Sequence, residues 1–134
     1  MPDMKAVIAD TTGQKIVTEA KTLAEQIYRQ RLKASQIRKI FTEVRKIEAL
    51  WEQEGKQESA LRRLVMLKPK LAYQEKRQER RGTSPMKPLS TALSAAIDAV
   101  ANEKDSEKQD TYFRNFVDFF EAVLAYHKFF GGDN

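Results

Sequence analysis

Cysteine is absent from the chain. Thiolate catalysis, disulfide staples and cysteine-bound metal are therefore excluded, and the composition suits a reducing cytoplasm. Glycine and proline are scarce, at five and four of 134 residues, which leaves long stretches free to form helix. No basic segment followed by a long apolar stretch opens the chain, so no signal peptide is expected. No apolar run approaches the roughly 20 residues that a bilayer requires. A soluble, cytoplasmic protein without a membrane partner is the expectation.

Catalytic signatures are missing as well. There is no phosphate-binding Walker loop, no Gly-x-Gly-x-x-Gly and no nucleophile elbow. His127 is the single histidine. On an apolar helical stripe, such a residue is expected to be packed and bonded to a carbonyl or carboxylate. Asp118 and Glu121 stand three apart without a Glu-x-x-His unit beside them, so a di-iron bundle site is unsupported. They read as ion-pair partners for Arg114 or for a neighbouring helix. We expect no enzyme, no metal, no cofactor and no small-molecule substrate.

What the chain does have is concentrated aromatic residues near its end. Residues 112–132 read YFRNFVDFFEAVLAYHKFFGG and hold eight of the eleven Phe and Tyr residues. Phe113, Phe116, Phe120, Val123, Leu124 and His127 follow steps of three and four, which places them on one side of a helix. Phe119 and Tyr126 form a neighbouring stripe and widen that apolar face.

Periodicity predicts an all-α, single-domain bundle of five helices over residues 1–134, with residues 1–12 a flexible N-terminus. The first helix spans residues 13–31 and buries Ile16, Ala20, Leu23 and Ile27, with Thr11 and Gln14 as a capping box. The second, capped by Ser35, buries Ile37, Ile40, Phe41, Val44, Ile47, Leu50 and Trp51 and ends near Gly55. The third starts near Ser59, uses Leu61, Leu64, Val65 and Leu71, and is interrupted near Lys68 by Pro69. A loop at residues 82–88 follows, and Pro85 and Pro88 suit the first turn of the fourth helix. That helix buries Leu89, Leu93, Ala96, Ile97 and Val100. Ser106 and Gln109 read as a second capping box, opening the aromatic helix that Gly131 and Gly132 stop.

Charge is unevenly placed. The net charge is +5, yet residues 62–88 hold nine basic against two acidic side chains, and residues 98–134 hold four against eight. Arg62, Arg63, Lys68, Lys70, Lys76, Arg77, Arg80 and Arg81 crowd the third helix. Arg38 and Arg45 share a face of the second, as do Lys39 and Lys46. Such arrays suit a polyanion, which meets several cations at once and releases condensed counterions. The alternative is a solvated face whose cations pair with nearby Glu residues or with the acidic last helix. Neither RNP aromatics on strands nor zinc-finger spacing occurs, so backbone contact without sequence preference is the expected mode. Trp51 and Tyr73 are candidates for base stacking, with core or edge packing as the competing role.

Three blocks carry a family resemblance: SQIRKIFTEV at 35–44, LKPKLAYQ at 67–74 and FRNFVDFFEAVLAYHKFFGG at 113–132. Together, and in this order, they resemble the small, all-helical subunit of type III-A CRISPR–Cas (Csm) effector complexes. The resemblance implies a non-catalytic RNA-binding role in antiviral defence. The partners it implies are guide RNA, target RNA, the backbone and large subunits and further copies of the chain. Arg38, Lys39, Lys68 and Lys70 lie in the matching blocks and are the RNA contacts it implies. Arg45, Arg77 and Arg80 join them from the charge pattern alone. Two other readings compete: a protein-interaction adaptor docking through its aromatic helix, and a general DNA-associated basic protein.

Overall fold

The computed structural model describes residues 3–132 and contains, among them, seven helices and no strand. These are α1 (Met4–Ala9), α2 (Gln14–Arg29), α3 (Ala34–Trp51), α4 (Gln57–Val65), α5 (Leu67–Arg77), α6 (Lys87–Asn102) and α7 (Ser106–Phe129). The longest, α7, is the centre of the bundle and packs against α1, α2, α3 and α6. Its sequence explains that position. Phe113, Phe116, Phe119, Phe120 and Val123 are all buried, so apolar side chains cover more than one face. A helix apolar on several sides must be covered on several sides.

Ring contacts fix how its neighbours sit. Trp51 of α3 stacks on Phe113 with centroids 4.2 Å apart and planes 12° from parallel. The indole N–H donates to Asp110 at 2.8 Å, so the polar edge of a core residue is satisfied. Phe41 meets Phe120 edge-on at 5.1 Å. Trp51 is thus a core residue, and base stacking is closed to it. Tyr73, in contrast, is 62% exposed on α5.

The buried stripes expected for α2 and α6 are those observed. The five expected helical segments become seven for two reasons. Residues 1–12, expected to be flexible, contain α1, which buries Met4, Val7 and Ile8. Its C-terminal end is tied to α7, where the Asn115 amide donates to the Ile8 carbonyl at 2.7 Å. Six residues are too few for a periodic signal, and tertiary burial stabilises what propensity would not. The expected interruption by Pro69 is also present, but upstream at Met66, where α4 ends and α5 begins. Proline then lies in the first turn of a new helix, where its missing donor costs least.

Local expectations fail where another oxygen wins. Asp10 and Thr12, not Thr11, cap α2: the Asp10 carboxylate accepts from the Lys15 and Thr12 N–H groups, and Thr12 Oγ1 accepts from Gln14. Asp105 caps α7, while Gln109 donates instead to the Val100 and Glu103 carbonyls. At α3 the cap position is Lys33, whose N–H donates to the Gln36 side chain, and Ser35 lies inside the helix. Val65, expected in the core, is 38% exposed because α4 stops there.

Candidate functional site

Two clefts open beside α5. The smaller, about 420 Å³, lies between the start of α3 and α5 and is lined by Lys39, Glu43, Lys70, Gln74 and Arg77 among others. Lys70, Gln74 and Arg77 recur at four and three residues, so one face of α5 supplies all three. The larger, about 1580 Å³, runs between α2 and α6. One wall is the polar side of α2, with Glu19, Thr22, Gln26 and Gln30. The opposite wall is a short-side-chain face of α6, with Pro88, Thr91, Ala92 and Ala95. Short residues facing amide-bearing ones leave space that neither helix fills. Gln36, Arg77 and Gln78 line both clefts, which therefore meet at the end of α5.

The charge of this joined surface is one-sided. Arg31, Lys33, Lys39, Lys70, Arg77, Arg80 and Lys87 line it, against two carboxylates, Glu19 and Glu43. Glu43 already has Lys46 and Arg63 at 3.6 Å on its other side. No described carboxylate pairs with any of the seven cations. All seven are exposed.

The seven residues expected to contact RNA are thus sorted. Lys39, Lys70, Arg77 and Arg80 are brought together; Arg38, Arg45 and Lys68 line neither cleft. Arg45 donates to Glu48 at 2.8 Å and to Glu121 of α7 at 2.6 Å, and lies 4.7 Å from the Phe41 ring centroid. The Glu48 hydrogen bond leads in raising its pKa above the ordinary arginine value. Lys68 is hydrogen-bonded to Asp98 of α6. Arg38 is half-buried, and its carbonyl accepts the Thr42 hydroxyl at 2.9 Å. Glu121 therefore pairs with a neighbouring helix, as read from sequence, but Asp118 joins no ion pair among the described residues, and Arg114 takes Asp110 and Glu52. Burial, then the nearby Glu121 and Glu48 charges, raise the Asp118 pKa.

Arg31, Lys33 and Lys87 were missed by sequence reasoning. Arg31 carries a conformational signal. At φ 66° it is one of two described non-glycine residues in the left-handed region, the other being Arg81. It ends α2 in a Schellman motif: its N–H donates to the Tyr28 carbonyl, and Leu32 N–H donates to that of Ile27. The same motif ends α7 with Gly131 in the equivalent place. The side chain at position 31 is thus held where glycine costs least.

His127 has the packing role expected of it. Its Nε2 is 2.8 Å from the Leu32 carbonyl, and the ring is 1% exposed, with Nδ1 lacking a partner in the structure. Gly132 lies against that ring, and its N–H donates to the His127 carbonyl at 2.9 Å. Among the described residues no helix is long and apolar enough to cross a membrane. Beyond the clefts, Tyr28, Tyr126, Phe129 and Phe130 form a ring cluster at the C-terminal end of α7, with Phe129 74% exposed.

No curated protein and no solved structure matches the chain. A family model described as Csm2 Type III-A does match, over residues 10–133. That span takes in α2 to α7, all seven cations of the joined clefts and the three sequence blocks that carry the resemblance. The helical bundle, its unpaired cations and this match along nearly the whole chain lead to one assignment: the protein belongs to the Csm2 family and is a small subunit of the type III-A CRISPR–Cas Csm complex.

Proposed function

We propose that the chain is a non-catalytic subunit that holds the backbone of guide and target RNA, without sequence preference, inside a cytoplasmic antiviral ribonucleoprotein. The observation that carries this reading is the joined cleft surface, with seven cations against two carboxylates. Lys39, Lys70, Arg77 and Arg80 are the leading phosphate contacts, with Arg31, Lys33 and Lys87 beside them. Arginine supplies a planar fork for phosphate oxygens, and lysine a mobile point charge. Arg38, Arg45 and Lys68, which line neither cleft, are secondary candidates. Base pairing between guide and target would read sequence, leaving this subunit to neutralise and position the strands. The exposed rings around Phe129 would face the backbone and large subunits or further copies of the chain.

The test is to purify the tagged protein from its host under gentle conditions, crosslink it with ultraviolet light and map the RNA-bearing peptides. Short RNAs with a common repeat-derived 5′ tag, attached to peptides of α5 and the start of α3, are the expected result. Protein partners without RNA would favour the adaptor reading, to which the exposed Phe129 cluster lends its weight. Equal retention of double-stranded DNA would favour a general DNA-associated role.

A further inference from the structure

The α2–α6 groove offers more than backbone binding requires. An RNA duplex keeps its bases stacked and paired inside and presents phosphates and 2′-hydroxyls outward. Such a ligand would be satisfied by the cationic rim alone. Behind those cations, however, the groove is also lined by apolar Leu23, Ala92, Ala95 and Phe119. Phe119 and Leu23 are nearly covered, whereas Ala92 is partly accessible and Ala95 is exposed. Apolar carbon dominates the surface of the groove although five cations line it too.

A ligand matching both layers must be anionic along its length and carry apolar faces that reach inward. Single-stranded RNA with unstacked bases has that chemistry; a duplex does not. From this two-layer lining we infer that the α2–α6 groove receives an unstacked base of single-stranded RNA, an inference that rests on the RNA-binding reading. The phosphates on either side of the base lie along Arg77, Arg80 and Lys87. Ala92 and Ala95 leave the space that the base occupies. Gln26 and Gln30 of the facing wall each offer a donor and an acceptor, so any base finds a partner. Shelter without a fixed donor–acceptor pattern keeps binding tolerant of sequence. The role of Arg31 follows as well, since its unfavourable backbone places a cation beside the groove mouth.

Fluorescence anisotropy on the full chain tests this with three probes of equal length: oligouridylate, a ribose-phosphate strand lacking bases, and an RNA duplex. Oligouridylate is expected to bind about tenfold tighter than the baseless strand, from the apolar area that one base buries. Ala95→Trp fills the groove from an exposed position; it should abolish that difference and leave the affinity for the baseless strand unchanged. Arg77→Gln should weaken all probes together. Thr91→Trp, on the same wall, repeats the filling test if circular dichroism shows Ala95→Trp misfolded. Equal affinity for oligouridylate and the baseless strand, or an Ala95→Trp or Thr91→Trp protein that keeps the difference, overturns the base-sheltering inference while backbone binding stands. Binding of none of the probes overturns the RNA reading itself.

Discussion

Replacing Lys39, Lys70 and Arg77 together with glutamine should change the salt dependence of RNA binding by an amount set by their surroundings. None of the three is paired with a described carboxylate, and the nearest acid in their cleft, Glu43, is shared with Lys46 and Arg63. Each is therefore available to neutralise one phosphate. On a single strand each phosphate contact contributes about 0.7 to the slope of log K against log salt, so the triple variant should lose about 2. A contact of two charges 4 Å apart in water is worth about 1 kcal/mol, which makes the loss of affinity at low salt about a hundredfold or more. The matched control is Arg45→Gln with Lys68→Gln. Those cations are held by Glu48, Glu121 and Asp98, so the slope should change by less than about 0.5. Filter binding across a salt series reads both variants, and thermal melting checks that exposed-residue changes stay within about 0.5 kcal/mol of the parent. A control that loses as much slope as the triple variant would refute the argument, because binding would then follow total charge and not the cleft.

Arg31→Gly should stabilise the fold by about 1 kcal/mol, by relieving the left-handed backbone at φ 66°, and yet weaken RNA binding. A stability gain with unchanged binding would make Arg31 a tolerated defect. Phe113→Ala, which removes a buried ring stacked on Trp51, should cost about 3–5 kcal/mol in urea unfolding. Gly132→Ala would drive a Cβ into the His127 ring at Nδ1, so the final turn must leave the ring. Faster amide exchange at Gly132 and a lower melting temperature are the readouts. Asp118 has the opposite sign from Asp10 and Glu52. Its folded pKa lies above the unfolded value, so its charge costs stability at neutral pH, and that cost vanishes as pH falls below the unfolded pKa. Asp118→Asn should raise the melting temperature at pH 7 and make no difference near about pH 3. Glu52 behaves conversely. Its pKa is lowered first by the Arg114 hydrogen bond, so its stabilisation is present above the unfolded value and lost on acidification.

The helical class, the α2 and α6 stripes and the aromatic face of α7 were readable in the sequence because burial on a helix repeats locally every three or four residues. The three blocks carried the family for the same reason, since each is a run of neighbours. Some local features were harder. The Thr11, Ser35 and Ser106 caps failed because several oxygens lie within reach of the same N–H groups, and backbone geometry selects among them. Helix α1 escaped notice because its burial depends on α6 and α7, nearly a chain length away. The site divides along the same line. The sequence by itself determined that a basic segment lies between a near-neutral start and an acidic end. It presented Arg45 and Lys68 as the equals of Lys39 and Lys70. Only the tertiary structure decided which cations are spent, by placing Glu121 beside Arg45 across 76 positions and Asp98 beside Lys68 across 30. It also gathered Arg31 and Lys33 with Arg77 and Lys87 around one groove. Ion pairing depends on distance in space, which the packing of α3, α6 and α7 sets and residue spacing does not.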